Sequence, residues 1–129
     1  MSDFARFCPL LGRILIAALF LPEGFEKLTH YQGTVAFTQQ HNLPAPAIAV
    51  GLAILVELGA ALLVLVGYKT RIAAFAIAVF CIVTAVAFHA DFGDPMEKIN
   101  FFKDIAIAGG LLQMVYFGAG PFSIDNRKR

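Results

Sequence analysis

The sequence is short of charge. Only 15% of its 129 residues are Asp, Glu, Lys or Arg, while 59% are hydrophobic and the mean hydropathy is +0.75. An ordinary soluble domain carries about a quarter charged residues, so too little polar surface remains here to cover a globule with water, and a soluble enzyme is excluded. Neither sign is in excess: 10 Lys+Arg stand against 9 Asp+Glu for a net charge of +1. No positive field is left to grip a phosphate backbone, which argues against nucleic acid as a partner. Cysteine is scarce as well. Cys8 and Cys81 form no CxxC pair and no zinc-ligand spacing, and two are too few for a disulfide framework. His30, His41 and His89 have no i, i+3 or i, i+4 spacing to one another, which argues against a metal site, and no haem, flavin or iron–sulfur signature is present.

What the chain has in abundance is long apolar runs. A bilayer core about 30 Å thick takes roughly 20 mainly apolar helical residues to cross. Four runs approach that length, at about 10–28, 45–67, 72–88 and 101–117. The punctuation between them is orderly. Leu43, Pro44 and Pro46 open the second run, and Gly67, Lys69, Thr70 and Arg71 make a tight reversal into the third. Asp91 to Pro95 supply a turn, and Gly118, Gly120 and Pro121 stop the fourth. The expected architecture is all-α: one domain over residues 1–129, a transmembrane four-helix bundle in contact with the lipid bilayer. The long first connection, with Val35 and Phe37 among Gln39, Gln40 and His41, suggests a short interfacial helix. Arg6 ahead of Ile14 to Leu21 resembles the start of a signal peptide, but Arg13 and the following Glu23, Glu26 and Lys27 fit a cleavage site poorly, so an uncleaved helix is expected.

Orientation follows from Lys/Arg asymmetry. Four crossings put the termini and the second reversal on one side, with Arg6, Arg13, Lys69, Arg71, Arg127, Lys128 and Arg129, against Lys27, Lys98 and Lys103 on the other. Both termini are therefore expected in the cytoplasm. Glu23, Glu26, Asp91, Asp94, Glu97, Asp104 and all three histidines fall on the outer side, where chemistry should concentrate.

Charges inside a span cost about 2.5–3.5 kcal/mol each on insertion scales and should face helices or water. Glu57 is the sharpest case, sharing its helical face with Val50, Ala53, Ala60, Ala61 and Val64. Counting 1.5 Å per residue, it lies roughly 15 Å from the cytoplasmic end of its span and Arg13 roughly 6 Å in, which makes Arg13 the expected partner. Such a pair either locks two helices together or forms a proton or ligand site. Gln113, one turn past Gly109, is expected to hydrogen-bond between helices. Arg13, Ala17, Phe20, Gly24 and Lys27 fall on one stripe that should face the bundle, and Pro22 should weaken the ladder beside it and open a pocket. Small residues on the third and fourth runs, Ala73, Ala74, Ala76 and Ala78, then Ala106, Ala108, Gly109 and Gly110, read as packing faces.

A second cluster is expected at the outer interface from Glu23, Lys27, His89, Lys103 and Asp104. It reads as a quinone-headgroup or redox site with His89 carrying protons and Lys103 donating, or as a metal site, or as a solvated rim that pins helix ends. Cys81 reads as core filler. Its depth differs from that of Cys8 by more than about 10 Å, which excludes a disulfide between them.

The ordered set Gly12-Arg13, Phe20, Gly24, Lys27, Leu43-Pro44, Glu57-Leu58-Gly59, Gly67, Thr70-Arg71, Ala73-Ala74, Phe88-His89, Asn100-Phe101, Lys103, Gly109-Gly110-Leu111-Leu112, Gly120-Pro121 and Ser123-Ile124-Asp125 resembles the DoxX family of small four-span membrane proteins. The sequence departs from that pattern at Pro22-Glu23 and at Asp104, where an Asn is common after the lysine. The resemblance implies residence in the bacterial cytoplasmic (inner) membrane and association with respiratory or redox systems. It points to a membrane oxidoreductase component with a quinone-facing site and a membrane or redox protein partner. The alternatives are a non-catalytic scaffold and a small-solute or proton path lined by Arg13, Glu57 and the outer cluster.

Overall fold

The computed structural model describes residues 3–127. Lys128 and Arg129, two of the cations used to set orientation, lie outside the described residues. The described chain is helical: α1 Asp3–Arg6, α2 Cys8–Thr29, α3 Tyr31–Gln40, α4 Pro46–Ile54, a π-helical segment Leu55–Ala60, α5 Ala61–Val66, α6 Thr70–Phe88, α7 Pro95–Phe117, and a 3₁₀ turn Ile124–Asn126. Three stretches, Asp3–Thr29, Pro46–Val66 and Thr70–Phe88, are long and apolar enough to cross a membrane. The fourth long helix, α7, has 23 residues, but Glu97, Lys98, Lys103 and Asp104 load its first half with charge.

Local chemistry sets the helix limits. Pro46 starts α4 at the first turn, where a missing N–H costs nothing. Gly67 ends α5 in the left-handed region at φ 73°, which glycine enters without steric cost. Asp94 caps α7 by accepting from the Met96 N–H at 2.9 Å, with Pro95 next in line. The helix therefore begins at Pro95, ahead of the expected start near Phe101, because the Asp-Pro pair initiates a helix rather than closing a turn.

Packing follows chain order. The helix α2 lies on α4, the π segment and α5; the π segment and α5 lie on α6, and α6 carries α7. The shared core is made of Phe20, Ala61, Val64, Ala73, Ala74, Ile77, Ala78, Cys81, Ala108 and Leu111. Both cysteines are free. Of the expected stripe, Arg13, Ala17, Phe20 and Gly24 are buried and Lys27 is half-buried. On α6, Ala73, Ala74 and Ala78 are buried too and Ala76 is half-buried, but Ala106, Gly109 and Gly110 on α7 are exposed, and a Cβ built on either glycine would meet no atom within 4 Å. Those three residues are not a packing face within this chain. The side between α2 and α7 holds a cavity.

Candidate functional site

The two buried ions expected to meet are at opposite ends of the molecule. Arg13 is 1% exposed and points to the end where α2 begins and α7 finishes. Its Nε donates to the Ala119 carbonyl at 3.0 Å, its Nη1 to those of Val64 and Leu65 at 3.3 and 2.8 Å, and its Nη2 to that of Phe122. Arg13 therefore does not pair with Glu57. It lies near the last turn of α5, whose final carbonyls have no partner within the helix, and a guanidinium fork satisfies several at once. The same end is closed by Asp125, which accepts from the backbone N–H groups of Lys69 at 2.8 Å and Thr70 at 2.9 Å. Partial burial alone would raise the Asp125 carboxyl, but the Thr70 and Lys69 donors outweigh it and hold the group below its ordinary value. An open groove of about 650 Å³ runs beside this clasp.

Glu57 sits at the other end, in the π segment, and is 3% exposed. A π turn inserts an extra residue into the helical pass, a distortion frequent at functional sites. Here it sets Glu57 against α2 at Gly24: a Cβ on residue 24 would lie 2.9 Å from the Glu57 Cβ and 2.8 Å from the Leu58 Cγ. Through that gap Lys27 reaches the carboxylate. Its Nζ lies 3.0 Å from Oε1 and donates to Oε2 at 3.3 Å, with Glu23 Oε2 3.7 Å away on the other side. Oε1 is close enough for the ion pair but lacks the alignment of a hydrogen bond, and it has no hydrogen-bond partner.

Across the cavity His89 bridges two acids. Its Nδ1 is 3.0 Å from Glu97 Oε2 and its Nε2 is 3.8 Å from Asp104 Oδ2. The Thr84 hydroxyl lies 3.4 Å from the same Asp104 oxygen and 3.0 Å from the Cys81 carbonyl, so its one proton serves one of them at a time. Both constellations line a single cavity of about 440 Å³. Its apolar walls include Leu19, Phe20, Phe80 and Phe88, and Phe37 and His41 from α3 complete it. Phe37, His41 and Phe88 pack together, with ring centroids 4.6 to 5.8 Å apart.

The structure thus gathers Glu23, Lys27, Glu57, His89 and Asp104 into one place, merging groups expected in two separate sites. It does not bring in Lys103 or Gln113. Lys103 is exposed on α7, because neighbours on a helix are turned about 100° apart and Asp104 takes the inward position. Gln113 is exposed and makes no interhelical hydrogen bond, since the inward positions around it are held by Leu111 and Met114. Glu97, Thr84, Phe37 and His41 went unrecognised as site residues. The Asp94-Pro95 start signal was the available clue for Glu97, since it places that residue in the first turn of α7; nothing local marked α3 as a wall of the cavity.

An all-α chain with three membrane-length apolar helices and ionised groups turned inward is a membrane protein in class. The profile of the DoxX family matches residues 8–90, and the chain belongs to that family. It is similar to the inner membrane protein YqjF of Escherichia coli (strain K12), 36% identical over 116 residues that cover 90% of this chain and 88% of that protein. It is also similar to the inner membrane protein YphA of the same organism, 33% identical over 133 aligned positions, covering 97% and 95% of the two chains. No solved structure matches.

Proposed function

We propose that this protein is a component of a membrane oxidoreductase system in the bacterial cytoplasmic membrane, and that the cavity between α2 and α7 receives a quinone headgroup. The carrying observation is that one cavity of about 440 Å³ joins aromatic walls to the Lys27–Glu57 and His89–Asp104 pairs. A quinone needs both: an apolar slot for its ring, and convergent polar groups for its two oxygens. Lys27 donates to a carbonyl oxygen, and Glu57 accepts from a hydroxyl in the reduced form. His89 exchanges a proton at Nε2 and is linked through Nδ1 to Glu97 at the rim. The residues named here bind, orient and carry protons; electrons pass to a partner redox protein in the membrane.

In this reading α7 is the fourth crossing and both termini are cytoplasmic. Support comes from the contacts of Arg13 with Ala119 and of Asp125 with Lys69, which bring the two chain ends and the reversal after α5 to one end of the molecule. The inner-membrane names of the two relatives agree with this location.

The test is extraction of the purified protein with organic solvent and quantification of quinone by mass spectrometry. Stoichiometric quinone that is lost in Glu57→Ala and His89→Ala supports the assignment. A folded wild-type protein without quinone, or variants that retain it fully, would refute it.

A further inference from the structure

The cavity wall is unbalanced in charge. Glu23, Glu57, Glu97 and Asp104 contribute carboxylates, and Lys27 contributes the one permanent cation among the residues lining it. Even with His41 and His89 both protonated, acids outnumber cations. The chain partly corrects this itself, because Lys27 is an alkylammonium laid between Glu23 and Glu57. That correction is incomplete: one ammonium serves two carboxylates, and Glu57, nine-tenths buried or more beside the cavity, holds it at Oε1 through a 3.0 Å ion contact that is not a hydrogen bond. No group of three or more His, Cys, Asp and Glu among the described residues is placed to hold a metal ion. Phe37, His41 and Phe88 offer packed ring surfaces at the same cavity, the arrangement that attracts a diffuse organic cation through the ring quadrupole.

We infer that this cavity binds lipophilic organic cations, meaning a single positive centre carried on apolar or aromatic substituents, with Glu57 and Asp104 as its counter-ions and Phe37 and Phe88 as its ring contacts. The inference uses the same cavity as the quinone reading but not its conclusion. Lys27 is a tethered competitor for the Glu57 carboxylate, so removing its ammonium while keeping most of its length frees the acid for the ligand.

The experiment is calorimetric titration of the full chain in phosphatidylcholine nanodiscs, with empty discs as the blank. The probes are tetraphenylphosphonium and tetraphenylborate, which share shape and differ in sign. Saturable binding of the phosphonium above the blank, with none of the borate, is expected. Glu57→Gln and Asp104→Asn each weaken it about tenfold, Phe88→Ala weakens it several-fold, and Lys27→Met strengthens it. Variants are compared only where circular dichroism and a monodisperse elution profile match the wild type; Asp104→Asn, whose carboxylate is partly exposed, serves if the Glu57 variant fails to fold. Equal signals from the two probes, or phosphonium affinity unchanged in Asp104→Asn and Lys27→Met, would overturn the inference. Quinone content measured on the same preparations separates the two ideas. Quinone without cation binding defeats only this one, and cation binding without quinone defeats only the quinone assignment.

Discussion

Both ends of this molecule bury an ion, and they treat it in opposite ways. At one end Arg13 is surrounded by backbone carbonyls from two stretches of chain, and its donors are committed to holding α2, α5 and the C-terminal segment together. At the other, Glu57 meets one side chain, leaves an oxygen without a hydrogen bond, and opens onto a cavity. A buried charge saturated by backbone is a fastening. A buried charge with spare capacity beside empty space is what the proposed ligand site rests on. The comparison teaches that burial alone does not mark a functional group; the count of unused donors or acceptors does.

Substitutions at the two ends should separate stability from binding. The largest effect is expected from Arg13→Ala, which strips the partners from several buried carbonyls and should cost about 3–5 kcal/mol, read as early aggregation in a thermal size-exclusion assay. Arg13→Lys should recover only part of this, since an ammonium cannot reproduce the planar fork. If Arg13→Ala were as stable as the wild type, the fastening role would be wrong.

Gly24→Ala comes next. Its new methyl meets Leu58 and Glu57 below 3 Å, and overpacking of this kind costs about 1–3 kcal/mol. The displaced Glu57 should also lose ligand. Gly12→Ala, with open space around it, should change stability by less than about 0.5 kcal/mol and serves as the matched control. Glu57→Ala should destabilise less than Arg13→Ala, because Lys27 keeps Glu23 as a partner, yet it should abolish ligand retention.

Apart from the Gly12 control, the smallest effect is expected at Asp125. Asp125→Asn weakens the charge-assisted contacts to Lys69 and Thr70 and should cost about 1 kcal/mol near neutrality. The sign of its pH dependence follows from the depressed folded pKa. The stabilisation is complete above the ordinary carboxylate pKa and disappears as pH falls through the lower folded value. The wild type and Asp125→Asn should therefore approach each other in thermal stability as pH falls from about 4, and converge once it has passed the lower folded value. A gap that persists in acid would show that the carboxylate charge is not what fastens the turn.

Much of this was legible in the residues. The stripe Arg13, Ala17, Phe20, Gly24 on α2 and the face of Glu57 follow from helical period, because apolar and small residues recur every third or fourth position wherever helices touch. Glu23, Lys27, His89 and Asp104 could be grouped because they lie toward the same end of their helices. Partner choice was not legible. Rise per residue brackets depth to within a long side chain, but whether Arg13 reaches a carboxylate or a carbonyl depends on where the C-terminal segment folds back. The π turn around Glu57 was also invisible, since Leu55–Ala60 has the composition of any apolar helix. Lys103 and Gln113 were misplaced for a related reason: composition says a polar group in a span should turn inward, and only the packing of α7 on α6 decides which face is inward.

The amino-acid order alone determined that the chain is helical and belongs in lipid, because oily runs of membrane length leave the backbone no other way to satisfy its hydrogen bonds. It also determined which residues are costly there. The tertiary structure decided which of those residues meet, since pairing depends on the azimuth and contact of helices distant in sequence. Through a widened turn, a glycine gap and a returning tail, it made one ion a clasp and set the other beside a cavity.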